Sequence, residues 1–534
     1  MNTKALKQKI LDLAIHGKLL PLEKVEKIRK EEPASVLLEK IRAEKQEKIA
    51  KGELKKDKND SFIFVGDDKR HYEKFSEGSV KDIEDEIPFD VPDGWSWCRL
   101  GEICELNPKN KLDDSLEVSF IPMNLIEAEY SNKHGQEKRK WKDIKKGFTH
   151  FSENDVAVAK ISPCFENRKS VILKNLINGF GAGTTELFIL RPDKNLLPKY
   201  LLWITKTNSF INTGVGNFSG VVGQQRLQRD VVEDYFLPLP PLNEQQLIVA
   251  EIEKIFAQID LLEQNKTDLQ TAIKQAKSKI LDLAIHGKLV PQDPNDEPAS
   301  VLLEKIRAEK EAKIAKGELK RDKNDSYIYK GSDNCHYQKN ADGSIINIEE
   351  EIPFDVPESW CWCRLGEICE LKGGKRIPAG LSATKEKTHH IYIRVTDMKN
   401  NSISDDDLVY IDENIFEKIQ RYTINKNDLY LTIAGTIGRV GIVPEKFDGM
   451  NLTENALKLT DIKINKNFLM NILNTSFVQD YFASTYHQVA MPKLSLINAS
   501  KTLILLPPLS EQTRIVAKIE ELFELFDKIQ SNIL

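Results

Sequence analysis

The peptide KILDLAIHGKL occupies residues 9–19 and returns letter for letter at residues 279–289. A chain that writes one amphipathic segment twice must give both copies equivalent surroundings, so internal duplication is the first constraint on its fold. The duplication continues beyond that peptide. PASVLLEKIRAEK at 33–45 recurs at 298–310, and KGELKKDKNDSFIF at 51–64 returns as KGELKRDKNDSYIY at 316–329. WSWCRLGEICEL, ending at Leu106, has its partner in WCWCRLGEICEL, ending at Leu371. The copies then diverge until LPPLNEQ at 239–245, matched by LPPLSEQ at 506–512. Each half is a variable block between shared flanks, and 534 residues are too many for one hydrophobic core.

After LPPLNEQ, apolar residues follow at alternating spacings of 3 and 4: Ile248, Ile252, Ile255, Ile259, Leu262, Leu269, Ile273, Ala276, Ile280 and Leu283, with Lys266 the interruption. This heptad seam predicts one helix of about 36 residues, about 54 Å long at the usual rise. The C-terminal segment begins the same seam with Ile515, Ile519, Leu522, Phe526, Ile529 and Ile533, while Leu6, Ile10 and Leu13 match Ala276, Ile280 and Leu283. Together the two termini rebuild the central helix. The expected arrangement is a circularly permuted tandem repeat, its terminal helices end to end against the central one in a pseudo-twofold molecule. The alternative is that each seam packs on its own domain as an ordinary amphipathic helix.

The variable blocks, 107–236 and 372–505, read as mixed α/β. Strand-like runs (DVAVAKIS, ELFILRP, HIYIRV, DLYLTIAG) alternate with the helical stretches LPKYLLWITKTNSFINT and NKNFLMNILNTSFVQDYFA. The first block holds a basic, aromatic-interleaved stretch from Lys133 to Lys174, including Lys138, Arg139, Lys140, Trp141, Lys142, Lys145 and Lys146. Such a stretch suits phosphates, and a solvated surface is its bland reading. Counting back from the prolines, Arg226 in GNFSGVVGQQRLQRD falls opposite Lys493 in HQVAMPKLSLINAS.

Composition bounds the chemistry. Hydrophobic residues at 40% and charged residues at 30% indicate a folded globular chain. The net charge of −5 neither marks nor excludes a nucleic-acid binder, because binding depends on a local basic face. No apolar run is long enough to span a bilayer, and MNTKALKQKI is not signal-like, so no membrane association and a cytoplasmic location are expected. Seven cysteines lack CxxC spacing; Cys98, Cys104, Cys363 and Cys369 read as buried small hydrophobes. The nine histidines lack metal-ligand spacing, and His16 and His286, beside Gly17 and Gly287, mark helix C-termini. GFGAGT at 179–184 leads into a strand rather than a helix, and IAGTIGRVG at 433–441 reads as turns between strands, so neither forms a phosphate or cofactor loop. No catalytic residue, metal or cofactor is expected in this chain.

These residues resemble the DNA-specificity subunit of type I restriction-modification systems, over essentially the whole chain. The resemblance is carried by AIHGKLVPQDPNDEPASVLLEKIRAEK (284–310), IPFDVPESWCWCRLGEI (352–368), AKISPCFENRKS (159–170), GAGTTELFILRP (181–192), GQQRLQRD (223–230) and the two LPPL-x-EQ boundaries. It implies an α/β fold with two mixed α/β target recognition domains separated by two long helices packed as an antiparallel coiled coil. It implies five segments: an N-terminal helical region (1–83), recognition domain 1 (84–236), a central helical spacer (237–348), recognition domain 2 (349–505) and a C-terminal helix (506–534). Each recognition domain would read one half of a split, asymmetric target in double-stranded DNA. The helices would set the gap and dock two methyltransferase (modification) subunits and, through them, two restriction subunits with ATP-driven translocation and cleavage. Domains fixed about one helical turn apart, roughly 34 Å, face major grooves on one side of DNA. The PASVLLEKIRAEK arms read as helical supports or docking surfaces. A free-standing DNA-binding protein or a coiled-coil scaffold would show the same repeat; the family motifs favour the specificity-subunit reading.

Residue chemistry and the family stretches select candidate DNA contacts. In the first block these are Lys160, Asn167, Arg168, Lys169, Thr184, Thr185, Gln224, Gln225 and Arg226. In the second they are Arg394, Thr396, Thr436, Arg439, Thr453, Asn455, Gln488, Lys493 and Ser495. Gln and Asn suit adenine, and Arg suits guanine. Asn455 could instead cap a turn, and Arg439 could pair with a carboxylate.

Overall fold

A computed structural model describes residues 2–52, 60–221, 224–485 and 492–532. The chain divides into two compact units, Met1–Asn265 and Lys266–Leu534. The helix Leu242–Ile285 runs unbroken through the point of division for 44 residues. It exceeds the expected length because it starts directly after Pro240 and Pro241, before the first seam residue.

Each unit uses the seam in the same way. In the first, Ile248, Ile252, Phe256 and Ile259 share a core with Leu11, Ala14 and Ile15 of the helix Thr3–Ile15. The two helices run antiparallel: Thr3 bonds Glu263 and Lys7 bonds Asp260. In the second unit, Ile280, Ala284 and Ile285 share a core with Ile515, Val516 and Ile519 of the helix Leu509–Ser531. There Lys277 Nζ lies 2.6 Å from Asp527. Lys7 and Lys277 are matched positions of the repeat, and so are Asp260 and Asp527, so both units close with one and the same ion pair. The seam is not covered throughout: Leu262 is 53% exposed and Leu269 39%. Ile533 of the expected seam lies outside the described residues.

The repeated peptide ends each helix by the same device. Gly17 and Gly287 adopt φ of +64° and +65°, and a Cβ at either would fall 2.4 Å from Pro92 Cγ or 2.6 Å from Pro357 Cγ. His16 and His286, one residue earlier, stack on Phe89 and Phe354 at 3.9 and 4.2 Å. The PASVLLEKIRAEK segments form helices Ala34–Ala50 and Ala299–Ala315. Each is followed by a three-stranded antiparallel sheet, Ser61–Val65, His71–Phe75 and Val80–Asp82 in one unit and Ser326–Lys330, His336–Asn340 and Ile345–Asn347 in the other.

The divergent blocks share one topology. In the first, a four-stranded sheet runs Ser170–Ile172, Val156–Ala159, Leu187–Pro192, Cys104–Leu106; in the second, Val440–Ile442, Leu429–Thr432, Ala456–Thr460, Glu370–Gly373. A further sheet runs Glu137–Lys140, Glu117–Ile121, Phe180–Gly183, Thr149–Ser152, with its counterpart Tyr410–Ile411, His390–Ile393, Met450–Leu452, Thr423–Ile424. In each of these further sheets the middle pair is parallel, Gly181 opposite Ser119 and Tyr392 opposite Asn451. The long helical stretches are each two helices. Thr207 and Thr475 break them, their hydroxyls accepting from the backbone N–H of Phe210 and Val478 and capping Asn208–Gly216 and Ser476–Ser484. Cys98, Cys104, Cys363 and Cys369 are buried free thiols.

A partly buried ion pair joins each arm to the shared segment ahead of its block. Arg42 Nε donates to Glu102 at 2.6 Å and its Nη2 to the Ile63 carbonyl at 3.0 Å; Arg307 does the same to Glu367 at 2.7 Å and to Ile328 at 2.9 Å. Burial pushes the Glu102 carboxyl up to about 7 against the opposing pull of Arg42. Removing the guanidinium alone strands a buried carboxylate. Arg42→Met should therefore cost about 3–5 kcal/mol in urea unfolding, and Arg42→Met with Glu102→Leu should recover most of it. Simple additivity of the two single losses would contradict this account of the pair.

Candidate nucleic-acid interface

In the first block the candidates gather where two antiparallel strands meet. Leu187 lies opposite Ala159, so Lys160, just after one strand, and Thr184 to Glu186, just before the other, share one end of the sheet. The Lys160 N–H donates to the Glu186 carbonyl at 2.9 Å, and the Leu227 N–H to the Lys160 carbonyl at 2.8 Å. The second of these bonds brings in the loop that carries Gln224, Gln225 and Arg226, which also bridges Arg226 to Ile161. Arg226 lies 3.0 Å from Glu186 with its side chain 42% exposed. Thr185 and Gln224 are exposed, while Thr184 Oγ1 accepts from the Glu186 N–H at 3.2 Å.

The turn between Lys160 and the strand Ser170–Ile172 divides its candidates. Asn167 is exposed. Arg168, at φ +54°, turns back into the domain, donating to the Lys206 carbonyl at 3.1 Å and to Asn208 at 2.5 Å. Lys169 Nζ donates to the Met123 carbonyl at 3.1 Å. Arg168 and Lys169 therefore have structural partners.

The second block repeats the construction with other side chains. The Ile433 N–H donates to the Asn455 carbonyl at 2.8 Å, the Leu494 N–H donates to the Ile433 carbonyl at 3.0 Å, and Ala434 bridges Lys493. Lys493 thus stands where Arg226 stands, and Asn455 where Glu186 stands. Likewise Arg439, whose carbonyl accepts from the Thr432 N–H, matches Lys169, whose carbonyl accepts from the Ala159 N–H. Thr436, Arg439 and Lys493 are exposed; Arg439 donates to the Met398 carbonyl at 3.0 Å. Arg394 is committed to Asp397 at 2.7 Å and Asp407 at 3.3 Å, and exposed Thr396 reaches Asp397 at 3.4 Å. Thr453 is buried, and Ser495 caps the helix Leu496–Ser500. Gln488 lies outside the described residues.

The basic stretch forms a sheet edge. Glu137–Lys140 is the outer strand and Trp141 is buried behind it. Lys138, Arg139 and Lys145 pair with Glu117, Glu137 and Asp114 at 2.5, 2.7 and 2.6 Å. Lys140, Lys142 and Lys146 are exposed and form no ion pair among the described residues. Sequence reasoning passed over Glu186, an acid inside the quoted GAGTTEL run, because an acid by itself repels DNA; its ion pair with Arg226 becomes visible only in the fold.

The profile of a family described as type I restriction modification DNA specificity domain matches residues 92–271 and again 357–534. The specificity subunit of the type I restriction enzyme EcoAI from Escherichia coli is 33% identical over 99% of this chain and 90% of its own. The EcoEI specificity subunit from the same species is 31% identical over the same shares. A chain of a solved structure concerned with complex assembly and conformational transition of the type I R-M system superposes at a TM-score of 0.56, with 16% identity, over 84% of this chain and 94% of that one.

Beneath the Asn167–Lys169 turn lies a fully buried lysine. Lys206 Nζ donates to the carbonyls of Glu129 and Arg168 at 2.7 and 3.0 Å, and Gln8 of the N-terminal helix donates to the Lys206 carbonyl at 2.9 Å. Burial, then the Arg168 charge, pushes Lys206 down to about 7, and a neutral amine still has hydrogens for both carbonyls. The unfolded chain then holds the extra proton between pH 7 and the ordinary lysine range near 10.5, so stability rises across that window. Relative to Lys206→Met, the wild type should gain about 2 kcal/mol between pH 7 and pH 9 in urea unfolding. A pH-independent difference would contradict this.

Proposed function

The chain belongs to the type I restriction-modification DNA specificity family, and from that premise we propose that it is the sequence-reading, non-catalytic subunit of such an enzyme. Residues 84–236 and 349–505 are its two target recognition domains, each taking one half of a bipartite, asymmetric sequence in double-stranded DNA. The shared helices set a gap of fixed length and unspecified sequence, and they dock two methyltransferase subunits and, through them, two restriction subunits.

One observation carries this reading: the two blocks match in both four-stranded sheets, down to the bridges Ile161 to Arg226 and Ala434 to Lys493, yet bring unlike side chains to the matched places, and the second adds a hairpin of Met398–Lys399 with Ser402–Ile403. A scaffold held constant while its presented groups differ is what two different half-sites require. Base contacts come from Lys160, Thr185, Gln224, Gln225 and Arg226 in one domain and from Thr436 and Arg439 in the other, where Lys493 contacts phosphate. Arg168, Lys169, Arg394, Thr453 and Ser495 hold the loops that present them. Lys140, Lys142 and Lys146 contact phosphate.

Expression with a cognate methyltransferase subunit in an unmodified host, followed by single-molecule mapping of N6-methyladenine, should reveal a split motif that needs both chains. A soluble complex that adds no methylation would contradict the proposal. Replacing Lys140, Lys142 and Lys146 by Gln should weaken binding to all sequences alike and flatten the logarithmic salt slope by about 2 to 3. An unchanged slope would remove these lysines from the phosphate contacts.

A further inference from the structure

Arg226 is held in a way that leaves one part of its guanidinium for an outside ligand. Glu186 takes the inner edge, with Nε at 3.0 Å from one carboxylate oxygen and Nη2 at 3.0 Å from the other. The Gln224 carbonyl takes one hydrogen of Nη1 at 3.2 Å. One hydrogen on Nη1 and one on Nη2 stay without a partner among the described residues, on a side chain that is 42% exposed. The backbone is fixed as well, since the Arg226 N–H donates to the Ser219 carbonyl at 2.8 Å and Ser219 returns the bond at 3.0 Å. A guanidinium pinned on one edge and open on its terminal nitrogens has lost most of its rotational freedom before any ligand arrives.

We infer that Glu186 is a positioning residue that orients Arg226 to read the O6 and N7 acceptors of a guanine, so that the half-site of the first domain contains an obligatory G·C pair. The inference deepens the proposed function and rests on it. A base rather than a phosphate is favoured because a carboxylate beside the arginine offsets the net charge that a phosphate would reward, while leaving the directed donors intact. Guanine is favoured over the other bases because it alone offers two neighbouring acceptors in the major groove.

The second domain supplies the contrast. Lys493 takes the place of Arg226 and Asn455 the place of Glu186, which gives an exposed ammonium on a long flexible stem with no carboxylate at that position to orient it. A point charge of this kind suits phosphate. Matched substitutions in the two domains should therefore have different consequences.

The test uses the full chain in complex with its methyltransferase subunit and reads methylation at every genomic occurrence of the motif. Glu186→Gln keeps the shape and removes the charge; Arg226→Lys keeps the charge and removes the fork. Both should relax one guanine position of one half-site, lowering discrimination there about 10- to 100-fold, and leave the other half unchanged. Lys493→Gln should lower methylation of all motif variants together, with no position becoming degenerate. Three results would overturn the inference: a wild-type motif with no G·C pair in the half affected by these variants, a motif unchanged in both variants, or a uniform fall in methylation with guanine still required. The requirement for the unaffected half-site serves as the internal control for folding. Absence of any split motif with the wild-type chain would instead overturn the proposed function itself.

Discussion

One helix, Leu242–Ile285, gives its first half to one hydrophobic core and its second half to another. That sharing is the constraint on which the rest of the chain depends. Ile248, Ile252 and Ile259 are buried beside the N-terminal helix, and Ile280, Ala284 and Ile285 beside the C-terminal one. A fully buried isoleucine contributes about 1.5–3 kcal/mol, so neither half can change register without exposing several such side chains. Lys7 with Asp260 and Lys277 with Asp527 then repeat one ion pair at matched places.

From that frame the molecule separates what must stay constant from what can vary. Arm helices hold the shared segment ahead of each block through Arg42 with Glu102 and Arg307 with Glu367, and the glycine at each helix end admits a proline ring that no other residue would accommodate. Both blocks carry the same two four-stranded sheets. At the loops on one end of the central strands, backbone hydrogen bonds between matched residues hold position while the side chains differ. Arg226 beside Glu186, set against Lys493 beside Asn455, is the sharpest such difference on the described surface.

Much of this is legible in sequence because it rests on local periodicity and repetition. The 3–4 seam declares the central helix, the duplicated peptides declare the two units, and alternating or apolar runs such as DVAVAKIS and DLYLTIAG declare strands. What escaped depends on distant partners. The arm sheets are built from short strands, SFIFV and HYEKF, that become a sheet only by pairing with each other. The helical breaks at Thr207 and Thr475 follow from hydroxyl caps, which an apolar pattern running across them conceals. Leu262 and Leu269 keep the seam pattern yet remain exposed, since periodicity marks an apolar face without saying what covers it. At the candidate interface the loops were legible and the directions of their side chains were not. Arg168 and Arg394 carry the right chemistry for DNA, but nearby carbonyls and carboxylates engage them first.

The central claim is that matched scaffolds present unlike readers, each complete in its own unit. It is tested most directly by replacing residues 107–236 with 372–505, so that both units carry the second block, and mapping methylation by the resulting complex. The account requires a new target in which both halves are the sequence previously read by the second block, with the gap between them unchanged. A chimera that assembles with its methyltransferase subunit but keeps the original first half, or alters the gap, would contradict it.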